Sequence, residues 1–158
     1  MSHVTDVGMR VSEDLDLLER VGAKRGLVLD RGRTRYNWYG SWQDDFHGRF
    51  AAVDQGFRPQ DFGKCEHVLR RADARPGDYE IGVVRSPDGV GYQLLYDAYG
   101  SGAKLEQVAG HHLEDLQRDY TVALATQRAH EQLMAEGFEE CEAEELQDGR
   151  IKLRWTRQ

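Results

Sequence analysis

Only two cysteines, Cys65 and Cys141, occur in 158 residues. They are too few and too far apart in sequence for a disulfide scaffold, so both read as free thiols of a reducing compartment. No run approaches the roughly 18 consecutive apolar residues of a transmembrane helix. The opening Met1-Ser2-His3-Val4-Thr5-Asp6 has neither the basic start nor the apolar stretch of a signal peptide. The expected location is therefore cytoplasmic, without membrane association. Surplus positive charge is also missing: the net charge is −7, which disfavours broad affinity for nucleic acid or anionic lipid. No Gly-x-x-x-x-Gly-Lys-[Ser/Thr] loop is present, so the chain is not a P-loop ATPase. Internal repeats and linker-like breaks are absent as well, and the chain reads as one domain, 1–158, with an irregular insertion at about 40–63.

Hydrophobic residues make up 39% and charged residues 31% of the chain, the balance of a globular protein able to bury one core. Charge is unevenly spread. Eight acids and no Lys or Arg lie between Glu131 and Asp148, whereas Lys24, Arg25, Arg31, Arg33 and Arg35 crowd the first third and Arg150, Lys152, Arg154 and Arg157 close the chain. This describes either solvated faces of opposite sign or a bipolar surface that orients a partner.

Alternation over Val4 to Val11 predicts a strand with Val7, Met9 and Val11 on one side. Ser12 is a good N-cap for a short helix from Glu13 to Val21, which Gly22 would stop. Leu27-Val28-Leu29 and the aromatic-rich Thr34 to Tyr39 read as strands. Residues 40–63 hold four glycines and Pro59 among Trp42, Phe46, His47, Phe50 and Phe57, which suggests a long loop pinned by its own aromatic side chains. Cys65 to Arg70, Tyr79 to Arg85 and Gly91 to Tyr96 are further strands, the last two joined by the turn Ser86-Pro87-Asp88-Gly89. A long helix is predicted between Leu105 and Glu136, with an interruption at Gly110 and a stripe of Leu113, Leu116, Tyr120, Ala123, Leu124, Leu133 and Met134. Strands Cys141 to Leu146 and Arg150 to Trp155 form a hairpin about Asp148-Gly149. The fold class is α+β: a mostly antiparallel sheet with one short and one long helix on one face, a ferredoxin-like tendency, and a long aromatic loop insertion.

Several stretches carry a resemblance. They are the opening Met1 to Thr5 with the strand and Asp/Leu-rich helix after it, Asp78-Tyr79-Glu80-Ile81-Gly82-Val83-Val84, Gly91 to Gly100, and Gly137-Phe138 with Asp148 to Leu153. Together they resemble domain-of-unknown-function family 1257, which includes the hypothetical chloroplast reading frame 35 type of plastids and cyanobacteria. Tyr36-Asn37-Trp38-Tyr39-Gly40-Ser41-Trp42 and Phe62-Gly63-Lys64-Cys65-Glu66-His67 are similar to motifs of a longer bacterial and phage branch. The resemblance implies no activity. It implies a genomic companion, an AAA+ ATPase of the MoxR type.

Cys65-x-His67 is the best metal candidate, because residues two apart on a strand share a face. It supplies only half of a four-ligand site: His111-His112 could supply one ligand and His47 another, but no second tight Cys or His pair exists. As a nucleophile Cys65 would need an activating base, and His67 lies about 6–7 Å away along the backbone. The carboxylate pairs Asp44-Asp45 and Glu114-Asp115 diverge and read as solvated surface. Gly100-Ser101-Gly102-Ala103-Lys104 lacks the spacing of a phosphate cradle. Asp97, ending an apolar strand before a Gly-rich turn, suits capping of that turn or holding an arginine.

The strongest cluster is aromatic and basic: Arg33, Arg35, Tyr36, Trp38 and Trp42. It describes half-core strands, a protein interface or a stacking platform for single-stranded nucleic acid. The expected function is a non-enzymatic binding or adaptor protein, an accessory of a MoxR-type ATPase, without cofactor. In that reading Trp38 and Trp42 anchor a protein partner, Arg33 and Arg35 orient it, Tyr36 and Asp97 complete the binding set, and homo-oligomerisation stays open. The alternatives are a small metal- or thiol-dependent enzyme centred on Cys65 and His67, and a nucleic-acid binder.

Overall fold

The computed structural model describes residues 3–42 and 46–157, with the side chains of Val7, 138–143 and Arg157 left aside. Met1-Ser2, Asp44-Asp45 and the Cys141 thiol therefore lie outside the described residues. The chain divides into two compact units, Met1–Gln117 and Arg118–Gln158.

The first unit is built on a five-stranded sheet. Its strands are β1 (Val4–Val11), β2 (Leu27–Arg31), β3 (His67–Arg71), β4 (Ile81–Arg85) and β5 (Tyr92–Asp97), in the order β1-β5-β4-β3-β2. Every neighbouring pair is antiparallel. β1 and β2 thus sit on opposite edges, and α1 (Asp16–Lys24) connects them. The sheet belongs to the α+β class.

Local chemistry explains most boundaries. α1 begins later than Ser12 predicts because the Asp14 carboxylate, not the serine, accepts the Asp16 N–H at 3.0 Å. Gly22 does not stop it. Instead Gly22 lies where a Cβ would meet Leu69 at 3.2 Å, so its bareness lets the helix approach the sheet. The β4–β5 turn closes as expected, Gly89 N–H donating to the Ser86 carbonyl at 2.8 Å. The predicted interruption at Gly110 divides α2 (Gly102–Ala109) from α3 (Glu114–Ala135), with a 3-10 turn at His111–Leu113 between them.

Register separates two faces. Leu29, Leu69, Ile81, Val83, Leu94 and Tyr96 share one face and are buried. The Tyr96 hydroxyl there donates to Glu106 of α2 at 2.8 Å, and α1 lies over the same face through Gly22 and Leu69. Val4, Val68 and Leu95 face the other way, where residues 33–66 cover them with Tyr36, Ala52, Phe57 and Phe62. The cover is irregular apart from short 3-10 turns at Ala52–Gln55 and Pro59–Asp61.

The expected strand over Thr34–Tyr39 is not a ladder strand. It makes one isolated bridge, Arg35 to Lys64, and the segment lies over the sheet instead of extending it, with the Tyr36 ring against Gly82 of β4.

The second unit holds the rest of α3 and the hairpin of β6 (Phe138–Glu145) and β7 (Ile151–Arg157), closed by Gly149 N–H donating to the Leu146 carbonyl. Leu133 is half-buried and Met134 46% exposed, so the predicted apolar stripe is not buried along its whole length. Among the described residues no helix is long and apolar enough to cross a membrane.

Candidate functional site

Asp97 ends β5 with its side chain fully buried. A carboxylate buried there needs hydrogen bonds to replace its lost hydration. Among the described residues it receives three, all from backbone. Oδ1 accepts the N–H of His3 at 3.1 Å and of Tyr99 at 3.0 Å. Oδ2 accepts the N–H of Tyr39 at 3.1 Å. Capping of the following turn, through Tyr99, is only a third of its work. Asp97 gathers the start of β1, the 97–101 turn and the covering segment at one end of the sheet.

What that hub holds outward is aromatic. Tyr39 is 54% and Tyr99 49% exposed. Tyr79 is half-buried beside them, its phenol pKa raised by burial and then by the Asp97 and Tyr39 charges. The His3 ring lies edge-on to Tyr99 at 5.9 Å and stacks on Phe46 at 4.6 Å. Tyr39 and Tyr99, from two segments, are thus tied by their backbones to one carboxylate, and Tyr79 lies within electrostatic reach of both Asp97 and Tyr39.

Of the rest of the predicted binding set only Tyr36 is buried; Arg33, Trp38 and Trp42 are half-buried and Arg35 is exposed. Tyr36 is buried, its ring so close over Gly82 that a Cβ there would come within 2.3 Å of it. Burial pushes its phenol pKa well above the ordinary value. Trp38 and Trp42 are half-buried, meeting Phe62 edge-on at 5.9 and 6.1 Å. A Cβ at Gly63 would lie 2.4 Å from the Trp38 indole nitrogen. Arg33 spends its fork on the buried Glu80 carboxylate, at 2.7 and 3.0 Å, and Glu80 Oε1 also accepts the Asn37 N–H at 2.9 Å. This pair clamps the cover to the sheet. Arg35 is exposed, without an ion pair among the described residues.

Cys65 and His67 do not share a face. The chain bends at Glu66, before β3 begins. Cys65 packs into the cluster under the cover and donates its thiol to the Arg33 carbonyl at 3.4 Å. Burial pushes its pKa up to about 12, which keeps it a thiol. His67 faces the helix side, edge-on to Tyr92 at 5.5 Å, with Nδ1 accepting the Gly32 N–H at 3.0 Å. Burial lowers its pKa. The other histidines named for a metal are engaged elsewhere: His47 lies beside Asp54 at 3.1 Å, and His112 stacks on Phe50 at 4.2 Å. Among the described residues no three His, Cys, Asp or Glu side chains are grouped to hold a metal.

A second feature went unread in the sequence. Between the 57–66 arm of the cover and strands β4 and β5 lies a cavity of about 260 Å³. Phe57, Phe62, Cys65, Val84 and Leu95 make its apolar floor, and charged side chains ring it. Its walls come from residues some thirty positions apart, so no local pattern announces it. No family model, curated protein or solved structure matches the chain.

Proposed function

We propose that the chain is a non-enzymatic protein-binding module whose contact surface is the tyrosine patch of Tyr39, Tyr79 and Tyr99. One observation carries this reading: a single buried carboxylate, Asp97, fixes the backbones of two half-exposed tyrosines and of His3. Tyrosine supplies large amphipathic contact area at low entropic cost, and a pre-held surface loses little freedom on binding. The neutral Cys65 thiol and the separation of His67 from it weigh against thiol chemistry.

Trp38 and Trp42 serve this reading as interior supports of the cover, a different role from partner anchors. Arg33 is a clamp, and Arg35 remains free to orient an acidic neighbour. The first partner to test is a MoxR-type AAA+ ATPase, a choice that rests on the resemblance alone. The test is calorimetric titration of the full chain and its Tyr39→Ala/Tyr99→Ala variant against such an ATPase. Loss of two interface aromatics should weaken binding about thirtyfold or more. Tight binding that the double variant leaves unchanged removes the patch from the reading; no binding by either protein removes the ATPase.

A further inference from the structure

The cavity under the cover is separate from the tyrosine patch. Leu95 is the one β5 residue that lines it, and none of Tyr39, Tyr79, Tyr99 and Asp97 does. We propose that this cavity binds a small organic carboxylate with an apolar body of one or two rings, its ring on the Phe57–Phe62–Leu95 floor and its carboxylate at Lys64 and Arg58.

Size sets the body. Cavities of about 150 Å³ already admit benzene, so 260 Å³ takes a ring with substituents and falls just short of ordinary drug-sized pockets. The floor is apolar and closed to ionic chemistry, because the Cys65 thiol in it is held neutral by burial and points its proton at the Arg33 carbonyl.

Hydrogen-bonding capacity at the rim sets the charge. Its two carboxylates each already face a rim cation. Asp61 takes Arg58 at 2.9–3.0 Å and Lys64 at 3.2 Å, and Glu66 takes Arg85 at 3.0 Å. The cations are not used up. Lys64 has three donors and spends one, and Arg58 has five and spends two on the same carboxylate. Arg58 and Lys64 side chains are 68% and 56% exposed and free to swing. At the Arg58–Lys64 corner two cations share one carboxylate, Asp61, and keep donors to spare, which suits an anion; Glu66, with one oxygen beyond its Arg85 contact, offers a cationic ligand the weaker site.

The test is titration of the 15N-labelled full chain with 2-naphthoate, protonated 2-naphthylmethylamine and acetate, followed by amide shifts. At the ligand efficiency of an ordinary fragment of about 13 heavy atoms, naphthoate should bind near 1 mM, which this method reads well. Saturable shifts are expected for naphthoate at residues 62–66 and at Val84 and Arg85, with the ammonium analogue at least fivefold weaker and acetate inert. Lys64→Glu, a surface change, should weaken naphthoate about fivefold. Val84→Phe should fill the cavity and abolish the shifts. Absence of saturable shifts, shifts centred elsewhere, equal binding of the ammonium analogue, or an unaltered response in Lys64→Glu would each overturn the proposal.

Discussion

Replacing Asp97 by asparagine separates the hub from mere polarity, because the shape is kept and the charge and one acceptor are lost. Oδ1 can still take the His3 and Tyr99 amides. The new NH2 must face the Tyr39 N–H that Oδ2 now accepts, setting donor against donor. A hydrogen bond to a charged group is worth about 1.5–3 kcal/mol, and an unpaired buried amide costs a similar amount. The relief of no longer burying an ion offsets part of this. Asp97→Asn should therefore cost about 2 kcal/mol, and Asp97→Ala, which leaves all three amides without acceptors, about 4 kcal/mol. Urea unfolding followed by tryptophan fluorescence measures both. Amide hydrogen exchange locates the damage: Tyr39 should lose protection in Asp97→Asn while Tyr36 and Asn37 keep theirs, since their N–H groups donate to the Gly63 carbonyl and to the clamped Glu80 carboxylate, which are untouched. A cost below about 0.5 kcal/mol with Tyr39 still protected would refute the hub.

Three other outcomes follow from named contacts. Gly82→Ala should destabilise by about 2–3 kcal/mol in urea melts, because its Cβ would lie 2.3 Å from the buried Tyr36 ring. Asp6 is buried, and desolvation raises its pKa although Gly8 and Gln93 hydrogen bonds oppose this. A raised acid pKa favours the folded state below the unfolded value and forfeits that gain as pH climbs through the folded one. Asp6→Asn should therefore stabilise at pH 7, with the gain shrinking towards pH 4 in parallel urea titrations; a gain that grows on acidification would reverse the sign. Native Cys65 should react with an aromatic disulfide reagent about a thousandfold more slowly than an ordinary thiol of pKa 9.0, given its value near 12. A Cys141→Ser background isolates the rate, and fast labelling of the folded protein would contradict the burial.

Local signals in the sequence were legible because the structures they specify are local. Ser86 to Gly89 closes its turn within four residues, Gly110 interrupts the helix where it stands, and Asp148-Gly149 turns the last hairpin. Aromatic alternation over 34–39 misled because a strand in a sheet and a segment lying upon one bury alternate side chains equally; only the partner amides distinguish them. Cys65 and His67 were paired on a strand that starts at His67, and the bend at Glu66 turns them apart. Asp97 was legible as a turn cap through Tyr99, two residues on. Its hold on Tyr39 and His3, 58 and 94 positions away, is a property of the folded chain. The exposure of Tyr39 and Tyr99 depends on that hold and was equally invisible.

The tyrosine patch is tested most directly by placing a photoreactive phenylalanine at position 39, 99 or 90 of the full chain in its native host. Val90 is 62% exposed and lies past the opposite end of β5, a fair control. Positions 39 and 99 should give one shared adduct that position 90 does not, and the purified partner should lose affinity for the Tyr39→Ala chain. No adduct at 39 or 99, or the same adduct from all three positions, would contradict a contact surface built on Asp97.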